Sequence, residues 1–174
     1  MKPRIPKTGY LGPFKIQGVP LFIHWTFPVG GIFIALFLGN ITWITALPLI
    51  ACYTLLILAH ECGHAYAAKL NSIKVHGLIL TAIGGYCFTD QPQTFKAGLI
   101  FYAGGVIAQL IIFTAALLCL SVFGNPKNIV LSCMALVFTI VNLVILICNL
   151  LPIGNSDGKK IWLLVKQYMV RNRS

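Results

Sequence analysis

Charged residues are scarce in this sequence: 9% of 174 residues, against about 25% in a typical soluble domain. Only Glu61, Asp90 and Asp157 are acidic. From Ile16 to His60 there is no Asp, Glu, Lys or Arg, and between Ala97 and Ser156 the one charge is Lys127. A soluble fold can bury one such apolar run, but not several in so short a chain. Together with a mean hydropathy of +0.88, the pattern excludes an ordinary soluble domain. CxxC pairs are also missing, although there are six cysteines (52, 62, 87, 119, 133 and 148). They lie in or beside apolar segments and read as reduced, small hydrophobes, not as a disulfide framework. No A-x-A cleavage site follows the polar leader, which runs to about Gly18, and His24 and Trp25 interrupt the next apolar stretch. A signal peptide is therefore not expected, and this stretch should remain as a first span. Despite the net charge of +10, the basic residues form no stripe and accompany no recognition motif, which argues against nucleic acid as a partner.

What is present is a series of apolar stretches long enough to cross a hydrocarbon core of ~30 Å, which takes about 20 residues. The sequence predicts an all-α polytopic membrane protein in the lipid bilayer, with about four transmembrane helices near 19–39, 42–68, 97–123 and 128–152. Pro28, Gly30 and Gly31 predict a kink or a thinner helix in the first. Asn40-Ile41-Thr42 and Asn125-Pro126-Lys127-Asn128 provide the short turns. With no internal repeat and no linker, residues 1–174 read as a single domain. Residues 73–89 carry β-type composition with a bend at Gly84-Gly85, so a short β-hairpin or re-entrant loop is expected after the second span. The tail 161–170 mixes apolar and basic residues with Trp162 and Tyr168 and reads as an interfacial helix that anchors the chain end.

The basic residues set an orientation. Lys2, Arg4, Lys7 and Lys15 precede span one; Lys69, Lys74 and Lys96 separate spans two and three; Lys159, Lys160, Lys166, Arg171 and Arg173 follow span four. Lys127 alone falls on the opposite side. The positive-inside rule then makes the rich face cytoplasmic, with both termini inside, which agrees with an even number of spans.

The chemistry begins at His60-Glu61-Cys62-Gly63-His64, an HExxH motif. Residues four apart share one helix face, so both imidazoles can bind one Zn²⁺. Glu61 is turned away by about one residue and can act as general base without ligating. Three ionisable groups in an apolar helix carry an insertion penalty of roughly 2.5–3.5 kcal/mol for a charged one at the centre, so they require a reason. A catalytic zinc needs a third protein ligand. HExxHxxGxxH is absent, since Ala67 and Leu70 fill those positions, and there is no second Glu. Asp90, Asp157, His24 and His76 remain. Asp157 follows Pro152, which should end span four, and Gly154-Asn155, which permits a turn. Ser156, Asn155 or Asp157 itself could cap the tail helix. Gly158 would let the backbone pass close to a metal. The topology places His60, His64 and Asp157 at the same membrane face.

HECGH followed by Asn149-x-x-Pro152-x-x-x-x-Asp157-Gly158 resembles the site-2 protease family of intramembrane zinc metalloproteases. The likeness covers about 42–160, the expected catalytic core. It implies that His60, His64 and Asp157 ligate one zinc and that Glu61 is the catalytic base. Asn149 maps onto the Asn that opens the second motif, with a role in orienting substrate or stabilising the oxyanion; its alternative is a helix-terminal hydrogen bond. A Gly-Pro common in the following span stands here as Gly104-Gly105. The resemblance also implies peptide hydrolysis in single-span membrane proteins, often in regulated signalling, and residues 73–89 could hold an extended substrate segment as an added strand. His24 beside Trp25 reads as interfacial, and His76 and Asp90 as solvated loop residues. A pseudoprotease conflicts with the intact HExxH plus Asp157. A zinc transporter would need a continuous polar path, where the spans offer only His24, Thr54, Gln109 and a few hydroxyls.

Overall fold

The computed structural model describes residues 9–16, 18–37, 42–82 and 84–171. The Asn40-Ile41-Thr42 turn, apart from Thr42, lies outside them, as do Lys2, Arg4, Lys7 and Arg173. Strand β1 (Tyr10–Ile16) and strand β2 (Val19–His24) lead into helix α1 (Phe27–Phe37) and the long helix α2 (Trp43–Leu70). Strands β3 (Val75–Thr81) and β4 (Gly84–Thr89) follow. Helix α3 (Phe95–Phe123) precedes a helical column made of α4 (Ile129–Leu136), a π-helical turn (Val137–Val141) and α5 (Asn142–Leu150). Helix α6 (Asp157–Arg171) closes the described chain.

Three helical stretches, Ile44–Leu70, Phe95–Phe123 and Ile129–Leu150, are long and apolar enough to cross a membrane. Their outer faces leave Leu47, Leu55, Ile111, Leu118, Val122, Ile140 and Val144 exposed. Apolar area on that scale is unsuited to water and suits lipid, so this is an integral membrane protein. The helix ends follow from local chemistry. Thr94 Oγ1 accepts from Ala97 N at 3.1 Å to start α3, and Asn128 Oδ1 accepts from Val130 N at 2.9 Å to start α4. Pro152 lies just beyond the end of α5, where a helix cannot easily continue.

The first apolar stretch departs from the expected span at 19–39. Its opening residues, Val19–His24, form β2, and the described helix is the 11-residue α1, about 16 Å long at 1.5 Å per residue. Within the polar leader, Tyr10–Ile16 is also a strand. The four strands form one sheet in the order β1-β2-β3-β4, so an all-α description is corrected to mostly helical with a small sheet. Pairing explains the change. Leu21, Phe22 and Ile23 run parallel to Leu78, Ile79 and Leu80, and Leu21 packs with Leu78, Leu80, Phe27, Tyr53 and Ile57. Val19 and Ile23 are β-branched and Phe22 is aromatic, types that suit a half-buried pleat. β3 and β4 form an antiparallel hairpin with Thr81 opposite Gly84.

α2 and α3 make the central contact of the bundle. A Cβ on Gly104 would lie 2.6 Å from the Gly63 carbonyl oxygen and 2.8 Å from Ala67 Cβ. Gly63-x-x-x-Ala67 and Gly104-x-x-x-Ala108 thus bring two backbones together, the small-residue packing that replaces the hydrophobic effect inside lipid. That close approach positions the HExxH face of α2 against α3.

Candidate metal centre

The two histidines of HExxH project from one face of α2, and Asp157 reaches them from the first turn of α6. His64 Nε2 lies 3.0 Å from His60 Nε2 and 3.0 Å from Asp157 Oδ2, and His60 Nε2 lies 3.1 Å from Asp157 Oδ2. All three residues are buried. Among the described residues they form the one group of three side chains with metal-ligating atoms this close. His24, His76 and Asp90 are not part of it. His24 Nδ1 pairs with Thr26 Oγ1 at 2.7 Å, and His76 Nε2 pairs with Asp90 Oδ1 at 2.7 Å across the open end of the hairpin. His76 stands on β3 and not in a loop.

The remaining ring nitrogens are held from behind. His64 Nδ1 donates to the Phe101 carbonyl oxygen at 2.8 Å, and His60 Nδ1 donates to Gln109 Oε1 at 3.0 Å. Both acceptors fix the proton on Nδ1 and leave the Nε2 lone pairs facing each other and Asp157, the arrangement typical of ligating histidines. Lys160 Nζ adds a positive charge 3.6 Å from Asp157 Oδ1. Two imidazoles and one carboxylate, converging and pre-oriented, fit a catalytic metal site with three protein ligands.

Asp157 is free for this role because it does not cap α6. Ser156 Oγ accepts from Lys159 N at 3.2 Å and does that work. Gly154, at φ +57°, makes the left-handed turn that returns the chain after Pro152. Gly158 is also required by packing. A Cβ there would come within 2.5 Å of the Leu150 carbonyl carbon, so this glycine lets α6 pack on the end of α5.

Glu61 is buried beside the triangle but outside it. The Cys87 amide of β4 approaches its carboxylate, and a Cβ on Gly85 would lie 2.5 Å from Glu61 Oε1. Asn149, half-buried, lines the same cavity as Glu61, Tyr102 and Asp157. Its Nδ2 donates to Gln109 Oε1 at 3.0 Å. A second cavity of about 420 Å³ adjoins the site, bounded by Ile57, Tyr86, Ile145, Asn149 and Asn155.

Sequence reasoning missed Gln109, Lys160, the Phe101 carbonyl and the role of Gly105. Gln109 was visible only as a lone polar side chain in an apolar run, a signal for intramembrane function. At Gly105 a Cβ would fall 2.5 Å from His60 Cε1 and 2.6 Å from His60 Nε2. Gly105→Ala is therefore expected to displace the ligands and lower metal content on the order of 10–100-fold, the range for disturbing groups around a ligand. Metal analysis of detergent-purified protein checks this; full retention would show that the rings have room to shift.

The family model described as Peptidase M50B-like matches residues 30–156. A zinc metalloprotease of Methanocaldococcus jannaschii is 31% identical over 167 residues, which cover 89% of this chain and 45% of that protein. The chain thus spans less than half the length of that relative. The solved structure of a site-2 protease from Methanocaldococcus jannaschii matches with a TM-score of 0.70 and 26% identity, covering 91% of this chain and 73% of that one. With the family model covering both the HExxH helix and the α5–α6 turn, the chain belongs to the Peptidase M50B-like family.

Proposed function

We propose that this chain is the membrane-embedded core of an intramembrane zinc metalloprotease that hydrolyses peptide bonds in or near transmembrane segments of single-span membrane proteins, in regulated proteolysis. One juxtaposition carries the reading. Three donor atoms within 3.1 Å of one another sit beside a carboxylate that is not one of them, on an apolar helix able to span a bilayer. His60, His64 and Asp157 hold the zinc, one per chain, which when bound polarises the scissile carbonyl and makes water more acidic. Glu61 takes the proton of the attacking water and returns it to the leaving amine. The Asn149 amide has two N–H donors. One is committed to Gln109; the other is available to orient the substrate carbonyl or meet its developing charge. A helical substrate shields its own peptide bonds, so the scissile segment must be extended. β4, at the edge of the sheet and next to Glu61, offers backbone groups to hold it as an added strand. Proteomics of membranes containing wild-type protein or Glu61→Gln tests this: transmembrane fragments present only with wild type are the expected result, and identical fragment sets would count against proteolysis.

The proposal includes four crossings with both termini and the metal centre at the cytoplasmic face. The twelve-to-one split of basic residues supports it. So does the sheet. β2 feeds α1, α2 feeds β3, and β2 and β3 lie side by side in parallel. The 28-residue α2 returns to the sheet over about 42 Å, so the stretch containing α1 must travel away from it. In a cysteine-free background, single cysteines at Gln91 and Ser174 should resist an impermeant reagent added outside intact cells, and one at Lys127 should react. Labelling of Gln91 or Ser174 from outside contradicts this orientation.

A further inference from the structure

We infer that Gln109 is a positioning residue for this site, coupling the metal ligand His60 to the substrate-facing Asn149 through one shared acceptor. The inference rests on the zinc protease reading above. Gln109 is fully buried within α3. Its Oε1 accepts from His60 Nδ1 and from Asn149 Nδ2, each at 3.0 Å. A His60 that ligates through Nε2 carries its proton on Nδ1, and of the two ends of the Gln109 amide only the oxygen can accept it, along with the Asn149 Nδ2 hydrogen. Nε2 is consequently turned into the interior, where it has no hydrogen-bond partner among the described residues. A side chain chosen for stability alone would not leave that donor buried and unpaired.

The backbone beneath it is held by a second amide. Asn142 Nδ2 donates to the Gln109 carbonyl oxygen at 3.0 Å and to the Phe138 carbonyl oxygen at 3.3 Å. Asn142 follows immediately on the π-helical turn Val137–Val141. Such a turn widens the helix and rotates the residues beyond it. Asn142 and Asn149, seven residues apart, then share the face directed at Gln109. Its own Oδ1 is also buried without a partner among the described residues. Polar groups at this depth are retained for function far more often than for packing. The arrangement makes Asn149 register on the metal ligand: the proton that readies His60 to ligate and the aim of the Asn149 amide depend on one oxygen.

The test uses the full chain in detergent, with zinc affinity read by competition with a chromophoric chelator and turnover read separately. Gln109→Met keeps the shape and removes the acceptor; Gln109→Glu keeps the acceptor and removes the unpaired Nε2. The expected results are zinc affinity about 10–100-fold lower in Gln109→Met and within about threefold of wild type in Gln109→Glu. Asn149→Ala should lower kcat with little change in zinc affinity. Added to Gln109→Met, it should cost much less than it does alone, since Asn149 is already unanchored. Wild-type zinc affinity in Gln109→Met overturns the inference, as does a Gln109→Glu variant as weak as Gln109→Met, or full additivity with Asn149→Ala. Should Gln109→Met lose its fold, the Gln109→Glu affinity and the wild-type/Asn149→Ala comparison in the Glu background decide. Absence of zinc binding by wild type would overturn the protease reading itself, whereas the other outcomes leave that reading standing.

Discussion

Glu61→Gln should lose turnover by about 10²–10⁴-fold, the usual contribution of a positioned general base, while keeping its zinc. The side chain is buried next to Gly85 and Cys87 of β4, where the amide of Gln fits the same space and retains a polar end. It cannot accept a proton from water. It is not one of the three converging donors, so metal binding loses nothing but a nearby negative charge. The variant should therefore be recovered at wild-type membrane levels and retain uncleaved substrate long enough to be crosslinked. The measurement is cleavage of a co-reconstituted single-span membrane protein, scored by the size of the released fragment, alongside zinc content. Wild-type turnover in Glu61→Gln would remove this residue from the mechanism. Loss of zinc with the activity would instead place it among the ligands.

Asp157→Ala should reduce zinc affinity well beyond the ~10–100-fold that changes around the ligands bring, and do so without unfolding the chain. The carboxylate is one of three donors, and removal leaves only a pair of imidazoles, short of the three protein ligands a catalytic zinc needs. Its effect on the fold should be small. Ser156 caps α6, Leu164 packs on Gly98, and Phe95 stacks on Tyr168 with ring centroids 4.3 Å apart. Each of these contacts is independent of the carboxylate. Zinc titration and far-ultraviolet circular dichroism of the purified variant give both readings. Full zinc retention in Asp157→Ala would give the third ligand position to another residue, contrary to the geometry seen here. His64→Ala provides the companion case, since its ring touches both other ligands and the Phe101 carbonyl.

The two variants separate roles that a single activity assay merges. One abolishes proton transfer at a loaded site, the other empties the site of metal. Their comparison with Gly105→Ala, which removes no ligand but crowds His60, distinguishes loss of a donor from displacement of one.

The membrane class and the HExxH pair, with Glu61 between its histidines, followed from the sequence alone. The reason is that each is a local property. Long runs without charge report insertion into lipid, and a four-residue spacing on a helix fixes a common face whatever surrounds it. The scarcity of acids helped further, because with only Asp90 and Asp157 besides Glu61 the acidic candidates for the third ligand numbered two. The structure separates them: Asp90 pairs with His76, while the φ +57° turn at Gly154 carries Asp157 back to the histidines. What tertiary structure decided are the features made by residues far apart in sequence. Val19–His24 is apolar enough for either a membrane helix or a strand, and its pairing, antiparallel with β1 on one side and parallel with Leu78–Leu80 on the other, chooses the strand. Gln109 is an ordinary polar residue until α3 sets it behind His60, 49 positions away, and beside Asn149, 40 positions away. Gly105 is likewise unremarkable until the imidazoles occupy the space a methyl group would need. Short-range periodicity specifies which face of a helix is special; which backbone approaches that face is set by packing between elements, and no local pattern encodes it.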